Sequence, residues 1–207
     1  MTRFTASLIL TLIFIGVSGC AALITPDLDT ELVTLRKGKY TLDPAHSSVH
    51  FKVDHLGFSK QVGRFNRFSG SLDFDPENPS GAQLHALVDT TSIDFNNPDL
   101  EDTVRGASWL NTEAFPQAEF RTLSATATGE NRLLVDGELT LAGNTAPLSI
   151  DIVFNGGANN FISGRYTLGF AAEAQLQRSN FGIDSFIGAV GDDVFLDINA
   201  EFLLNAQ

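Results

Sequence analysis

The segment Leu148-Ser149-Ile150-Asp151-Ile152-Val153-Phe154 carries the pattern that decides the fold class. Apolar side chains occupy every second position, from Leu148 to Phe154, and a period of two is typical of a strand with one buried face. The pattern recurs outward in both directions, and together with the runs at Tyr40 and at 62–68 it predicts about eight strands. The clearest of the other alternating segments are Val49 to Val53, Leu72 to Phe74, Leu84 to Val88, Leu133 to Leu141, Ile162 to Leu176 and Val194 to Leu204.

The connections between these segments are short and rich in Gly and Asn, at 128–131, 142–145 and 155–158. Short connections make consecutive strands antiparallel neighbours. Runs such as 161–177 exceed the usual strand of about 5–6 residues, and closing the sheet removes the edges that long strands would expose. We therefore expect an all-β, lipocalin-like, extended eight-stranded antiparallel barrel in preference to a sandwich.

One interruption has the signals of a short helix. Asn97 is a candidate N-cap, Pro98 follows at the first helical position, and acidic side chains fill the first turn. We expect this helix to run from Asn97 to Leu110, with Leu100, Val104 and Ala107 on its inner face.

The first 19 residues are predicted to be a secretory signal. Arg3 precedes an uncharged apolar stretch, but Phe4 to Gly19 is shorter than the ~20 apolar residues that span a membrane. Val17-Ser18-Gly19-Cys20 resembles a bacterial lipobox, which predicts lipidation of Cys20 and leaves residues 20–39 as a tether to a domain at 40–207. By resemblance to bacterial sorting rules, Ala21 favours the outer membrane, facing the periplasm. The alternatives are a transmembrane helix or an ordinary signal peptide with a chance Cys.

The composition excludes several classes of protein. A formal net charge of -12 repels polyphosphates, so no nucleic acid partner is expected. A single Cys excludes an intramolecular disulfide. The 43% hydrophobic content, with 17 Phe, is too apolar for a disordered chain.

His46, His50 and His55 are the candidate metal ligands, and a cell-envelope enzyme or metal-dependent isomerase using them is the competing hypothesis. Strand parity argues against it, because His55 points to the opposite face from the other two and no fixed metal spacing is matched. No nucleophile or phosphate-loop motif occurs either. We expect no metal, no cofactor and no catalytic residues.

The excess of Phe has two interpretations, which the sequence leaves open. Inward-facing Phe side chains either line a ligand cavity or form an ordinary packed core. The positions concerned are Phe51, Phe65, Phe68, Phe74, Phe120, Phe154, Phe170 and Phe202.

The order and spacing of several fragments from Tyr40 to the C-terminus resemble the YceI-like family. The fragments are Tyr40-Thr-Leu-Asp-Pro-Ala-His-Ser47, Phe51 through His55-Leu56-Gly57, Gly63-Arg64-Phe65 with Phe68-Ser69-Gly70, Phe115-Pro116 with Phe120, Leu139-Thr-Leu-Ala-Gly143 with Pro147, and Arg178-Ser-Asn-Phe-Gly-Ile183 leading to Gly191-Asp-Asp-Val194.

This resemblance implies a barrel that binds a polyisoprenoid, a prenyl quinone or another long-chain amphiphile, often as a homodimer, with no firm catalytic activity. Leu100-Glu101 stands where the family usually has an Arg-Asp pair, and Ala146 replaces a usual Lys, so a neutral headgroup is easier to reconcile than a pyrophosphate. His55 and Arg178, beside Phe58 and Phe181, are the polar candidates for orienting a headgroup; the alternative, which we favour slightly, is structural hydrogen bonding within their loops. The candidate ligand-binding residues are Phe51, His55, Phe65, Phe68, Phe74, Trp109, Phe120, Phe154, Phe170, Arg178 and Phe181.

Overall fold

The computed structural model describes residues 26–31 and 34–206. The predicted signal segment and Cys20 lie outside the described residues. Within the described part, no helix is long and apolar enough to cross a bilayer. The strands are β1 (Gly38–Leu42), β2 (Ser48–His55), β3 (Ser59–Phe65), β4 (Phe68–Phe74), β5 (Gln83–Asp89), β6 (Ile93–Asp94), β7 (Gln117–Gly129), β8 (Arg132–Leu141), β9 (Asn144–Asn159), β10 (Tyr166–Gln177) and β11 (Val190–Leu204). The described residues contain one α-helix, α1 (Pro98–Arg105), and three short 3-10 helices.

The strands close into the predicted barrel. The hydrogen-bonded order β1-β4-β5-β7-β8-β9-β10-β11 returns to β1, where Tyr40 pairs with Leu204, and every pairing in this ring is antiparallel. β2 pairs with β11 beyond the end of β1, so β1 and β2 together form one strand of the barrel. In the same way β3, which pairs with β2, extends β4, and β6, which pairs with β3, extends β5. The molecule is therefore an eight-stranded antiparallel barrel in which three of the strands are interrupted. The predicted fold class is confirmed.

The bend between β1 and β2 is built by the Asp43-Pro-Ala-His-Ser47 motif. The Asp43 carboxylate accepts hydrogen bonds from the Ala45 amide (3.0 Å) and the His46 ring (2.9 Å). Asp43 and Glu201 are joined through their backbones (2.8 Å), and the Ser47 hydroxyl accepts from the Glu201 amide (3.0 Å). The motif thus fastens the bend to β11.

The helix starts where the sequence predicts and ends earlier. The Asn97 side chain accepts from the Leu100 amide (3.3 Å), but α1 ends at Arg105 rather than Leu110. Gly106, which has the low helix propensity of glycine, adopts an extended conformation and stops the helix. Ala107, expected on the inner face, is consequently exposed in the turn that follows.

Two other expectations about boundaries are wrong. Asn155 to Ala158 is not a turn but part of β9, where Gly156 has a φ of +142° and the pairing with β10 shifts register. Residues 161–165 are not strand but a turn, in which the Asn160 side chain accepts from the amides of Ile162 (2.9 Å) and Ser163 (3.2 Å). β10 begins only at Tyr166.

The barrel has two different ends. The helical end carries the 56–58 turn, the segment 95–116 with α1, the 142–143 turn and the loop 178–189. The opposite end carries the loops 75–82, 130–131 and 160–165, and it is closed by a packed cluster that includes Tyr40, Phe154 and Leu168, each at most 1% exposed.

Candidate ligand-binding cavity

The barrel encloses an apolar cavity of about 450 Å³. Inward-facing aliphatic and aromatic side chains from all the barrel strands form most of its wall, because the period-two pattern directs every second side chain inward. The polar side chains on the wall are His55, Gln61, Ser69, Thr122 and Arg178. Among the described residues the wall includes no Asp, Glu or Lys.

Most of the aromatic candidates lie on this wall. Phe51 contacts Phe65 (ring centroids 5.4 Å apart) and also Phe95 (5.4 Å), and Phe170 lies 5.9 Å from Phe202. The candidates on the wall are Phe51, His55, Phe65, Phe68, Phe74, Trp109, Phe120, Phe170 and Arg178.

Phe154 and Phe181 do not line the cavity. Each is 1% exposed: Phe154 lies in the cluster that closes the opposite end, and Phe181 belongs to the loop 178–189 and packs into the main core cluster. The alternation along β9 directs the Phe154 side chain inward, but at this level of the barrel the interior is occupied by the packed cluster. The centroid of its ring lies 5.5 Å from that of Phe170.

Arg178 is buried and held by backbone carbonyls. Its Nε donates to the Gly191 carbonyl (2.9 Å), Nη1 to Ile183 (2.7 Å) and Nη2 to Val190 (3.0 Å). Burial lowers the pKa of the guanidinium, while two nearby aspartates oppose the shift. None of the ion pairs among the described residues includes it. Arg178 therefore fixes the loop that follows β10, and its guanidinium also lies over the ring of Trp109 at 5.2 Å.

Three wall positions at the helical end were missed by sequence reasoning: Phe95, Leu110 and Gln61. Phe95 follows the two-residue strand β6, and Leu110 follows the end of α1, so neither belongs to a regular alternating run. For Phe95, the alternation of Ile93, Asp94 and Phe95 was an available signal. Gln61 lies at a position of β3 whose side chain points inward, but a search for alternating apolar residues does not find it because its side chain is polar.

The three histidines named as candidate metal ligands do not converge. His55 lies on the cavity wall and is exposed, whereas His50 pairs with Arg64 on the outer face of the barrel. His46 instead joins Asp43 and Glu201, whose ligand atoms lie within 4.8 Å of one another. Both Asp43 oxygens already accept hydrogen bonds within the bend, and the His46 bond lowers the pKa of Asp43. This group is accounted for by the bend.

Comparisons with known proteins agree with the geometry. The family described as the YceI-like domain matches residues 40–202. A UPF0312 protein of Shewanella baltica is 38% identical over 157 residues, which cover 76% of this chain and 82% of the relative. A UPF0312 protein of Shewanella oneidensis is 37% identical over 164 residues, covering 78% and 85%.

Solved structures share the fold. The YceI protein of Campylobacter jejuni, crystallised for nanotechnology applications, superposes with a TM-score of 0.67 at 26% identity, covering 81% of this chain and 98% of that one. BcnA of Burkholderia cenocepacia has a TM-score of 0.70 at 22% identity, covering 77% and 98%. A domain from Saccharophagus degradans has a TM-score of 0.62 at 13% identity, covering 82% and 100%.

Proposed function

The chain belongs to the family of YceI-like domains, and from that premise we propose that it binds a long-chain amphiphile of the polyisoprenoid or prenyl-quinone type inside its barrel. The S. degradans neighbour is described as a polyisoprenoid binding domain. That description concerns a protein that resembles this one in fold, so the proposal depends on the cavity itself.

The size and the apolar wall of the cavity are the observations that carry the proposal. Its volume of about 450 Å³ falls within the ~300–1,000 Å³ of small-molecule sites. Protein interiors are otherwise close-packed, with few voids larger than a water molecule. An interior like this favours a ligand that restores the missing contacts.

The chemistry of the wall selects a long apolar tail. Each buried methylene contributes about 0.8 kcal/mol, so about 15 of them contribute ~12 kcal/mol before the costs of association and ordering. A headgroup then needs only to orient the molecule. Arg178 donates to three carbonyls and no carboxylate or Lys lies on the described wall, which favours a neutral headgroup such as a quinone over a pyrophosphate. His55, at the surface, is the headgroup contact we propose.

We further propose that the protein acts in the periplasm as a lipoprotein anchored through Cys20, in the outer membrane, where it sequesters or carries its ligand. The lipobox at residues 17–20 supports this, and it lies outside the described residues. Association into a homodimer remains a prediction from the family resemblance.

We propose a binding protein rather than an enzyme. The described structure does not bring His46, His50 and His55 together, and the wall offers no paired acid and base. The competing metal-dependent isomerase needs such a cluster at the cavity.

Native mass spectrometry of the purified protein, with an organic extract and metal analysis of the same sample, tests the proposal. We expect a retained amphiphile with a long apolar tail and no stoichiometric metal. An empty extract after expression in an envelope rich in isoprenoids would contradict ligand binding. A stoichiometric metal would favour the isomerase.

A further inference from the structure

Four large apolar side chains in the turn 56–58 and the loop 178–189, both at the helical end, are exposed to solvent. We call Leu56, Phe58, Phe186 and Ile187 the apolar rim; their exposed fractions are 51%, 89%, 72% and 48%. Scattered exposed apolar residues are normal, but apolar groups gathered at one site mark interaction surfaces. These four come from two loops on the same end of the barrel.

The loops of the rim are fastened to each other and to the segment after α1. The Leu56 amide donates to the Ala189 carbonyl (2.8 Å), which joins the two rim loops. The Phe186 ring stacks on Trp109 with centroids 6.3 Å apart, and the Ser185 hydroxyl donates to the Ser108 carbonyl (2.8 Å). The rim is therefore one connected surface.

The backbone holds two of these side chains outward at a cost. Leu56 has a φ of +56° and Phe186 a φ of +55°, in the left-handed region that Gly and Asn adopt more readily. Neither side chain recovers the cost by burial, since each remains more than half exposed. Local stability alone would favour Asn or Gly at both positions.

The rim borders an exposed part of the cavity wall. His55, which is exposed and lines the cavity, directly precedes Leu56, and Trp109 and Val190 join the cavity wall to the Phe186 loop. The opposite end is closed by the packed cluster around Tyr40 and Phe154. A ligand that enters the cavity at the helical end therefore passes the rim.

We propose that the apolar rim docks on the surface of a lipid bilayer, so that an amphiphile passes from the membrane into the cavity without crossing water. This inference rests on the proposed function, because a ligand with a long apolar tail resides in a bilayer. The rim side chains are uncharged and the chain has a formal net charge of -12, so the surface that fits is a neutral one, bound by apolar insertion.

Trp109 makes the proposal testable, because it is the single Trp of the chain and it stacks on the rim. We would mix the full-length chain carrying Cys20→Ser, so that no acyl anchor contributes, with phosphatidylcholine vesicles whose acyl chains carry bromine, which quenches Trp fluorescence on contact. Quenching of Trp109 reports contact between the helical end and the bilayer, and contact through another part of the chain does not produce it. We expect quenching for the otherwise wild-type chain, and persistence of quenching in Ala172→Phe, which obstructs the cavity but leaves the rim intact.

Phe58→Asp and Phe161→Asp are the matched pair of variants. Phe58 is 89% exposed on the rim, and Phe161 is 74% exposed in a turn at the opposite end. We expect Phe58→Asp to lower vesicle partitioning by about tenfold or more, from the apolar insertion it removes. Phe161→Asp should partition like the wild type. No quenching in the wild type, or equal partitioning of the two variants, would overturn the proposal.

Leu56→Asn separates docking from a structural role. Asn tolerates the left-handed region, so we expect an unchanged or higher melting temperature together with weaker partitioning. A lower melting temperature with unchanged partitioning would show that Leu56 serves the fold and would count against the proposal. A dimer in vesicle-free sedimentation that Phe58→Asp dissociates would also overturn it, since the rim would then be covered by a second copy.

The organic extract distinguishes this proposal from the proposed function. A retained amphiphile without quenching in the wild type refutes docking and leaves ligand binding intact. Quenching that depends on Phe58, with an empty extract, supports the docking surface while the proposed ligand fails.

Discussion

Enlarging a small side chain on the cavity wall, as in Ala172→Phe, tests whether the interior is a binding site. Ala172 lies on β10 and lines the cavity. In a filled core, replacing Ala by Phe overpacks the interior and costs about 1–3 kcal/mol. In a hollow interior, filling about 90 Å³ at ~24 cal/mol per Å³ stabilises the ligand-free protein by about 2 kcal/mol. For a chain of this size that corresponds to a melting temperature roughly 4–8 °C higher.

The assay is thermal unfolding of delipidated Ala172→Phe beside delipidated wild type. Ala125→Phe is the matched control, because Ala125 is 5% exposed inside the same barrel but does not line the cavity. We expect the two variants to shift the melting temperature in opposite directions, and Ala172→Phe to retain less lipid. Destabilisation of similar size in both would show that the space at Ala172 is already filled, and the reasoning from the cavity would fail.

Four further predictions follow from named groups. Phe170→Asp should abolish lipid retention in organic extracts of the folded variant, because a carboxylate would have to be desolvated beside the tail. Arg178→Lys should lower the free energy of unfolding in denaturant titrations by about 1–3 kcal/mol, since an ammonium cannot match the guanidinium fork on three carbonyls; unchanged unfolding would contradict the loop-fixing role. Asp43 raises the pKa of His46, so the stabilisation from this pair should be complete below about pH 6.5 and be lost as the pH rises through the raised pKa. It should also fade at acid pH as the lowered pKa of Asp43 is crossed, and His46→Gln should remove the alkaline part of this dependence in thermal unfolding. Cys20→Ser, made together with Phe58→Asp so that rim docking does not hold the protein on the membrane, should move the protein from the membrane to the soluble fraction without changing its melting temperature relative to Phe58→Asp alone; continued membrane association of the double variant would contradict lipidation.

Alternation predicted the barrel well where the backbone is regular. At Leu148 to Phe154 the inward and outward sides follow directly from the period of two, because that pattern depends only on local geometry. It failed immediately afterwards, at Asn155 to Ala158. The glycines in this segment predicted a turn. In the structure they instead allow the segment around Asp29 to lie close against β9: Asp29 pairs with Gly157, and a Cβ added at Gly156 would lie 2.8 Å from Leu28. That contact comes from a segment more than a hundred residues away, so local sequence could not show it.

The sequence left the role of Arg178 open between a headgroup contact, which the family resemblance suggested, and hydrogen bonding within its loop. Its carbonyl partners lie 5, 12 and 13 positions along the chain, one in the loop after β10 and two at the start of β11. The structure shows that the guanidinium holds its own loop. A motif fixes which residue matters, but the hydrogen-bond partners decide what it does.

The sequence could not choose between core and cavity for the aromatic residues, and the reason is geometrical. Parity states that a side chain points inward but not how much volume the ring of strands encloses, which depends on strand number and tilt. The small inward residues were the informative ones: Ala86, Ala172 and Ala200 all line the cavity. In a filled eight-stranded barrel such mid-strand positions need large side chains opposite them, whereas here the interior remains open. Alanines that point inward between inward-pointing phenylalanines therefore indicate a cavity more directly than the phenylalanines do. That is why the decisive substitution enlarges an alanine rather than truncating a ring.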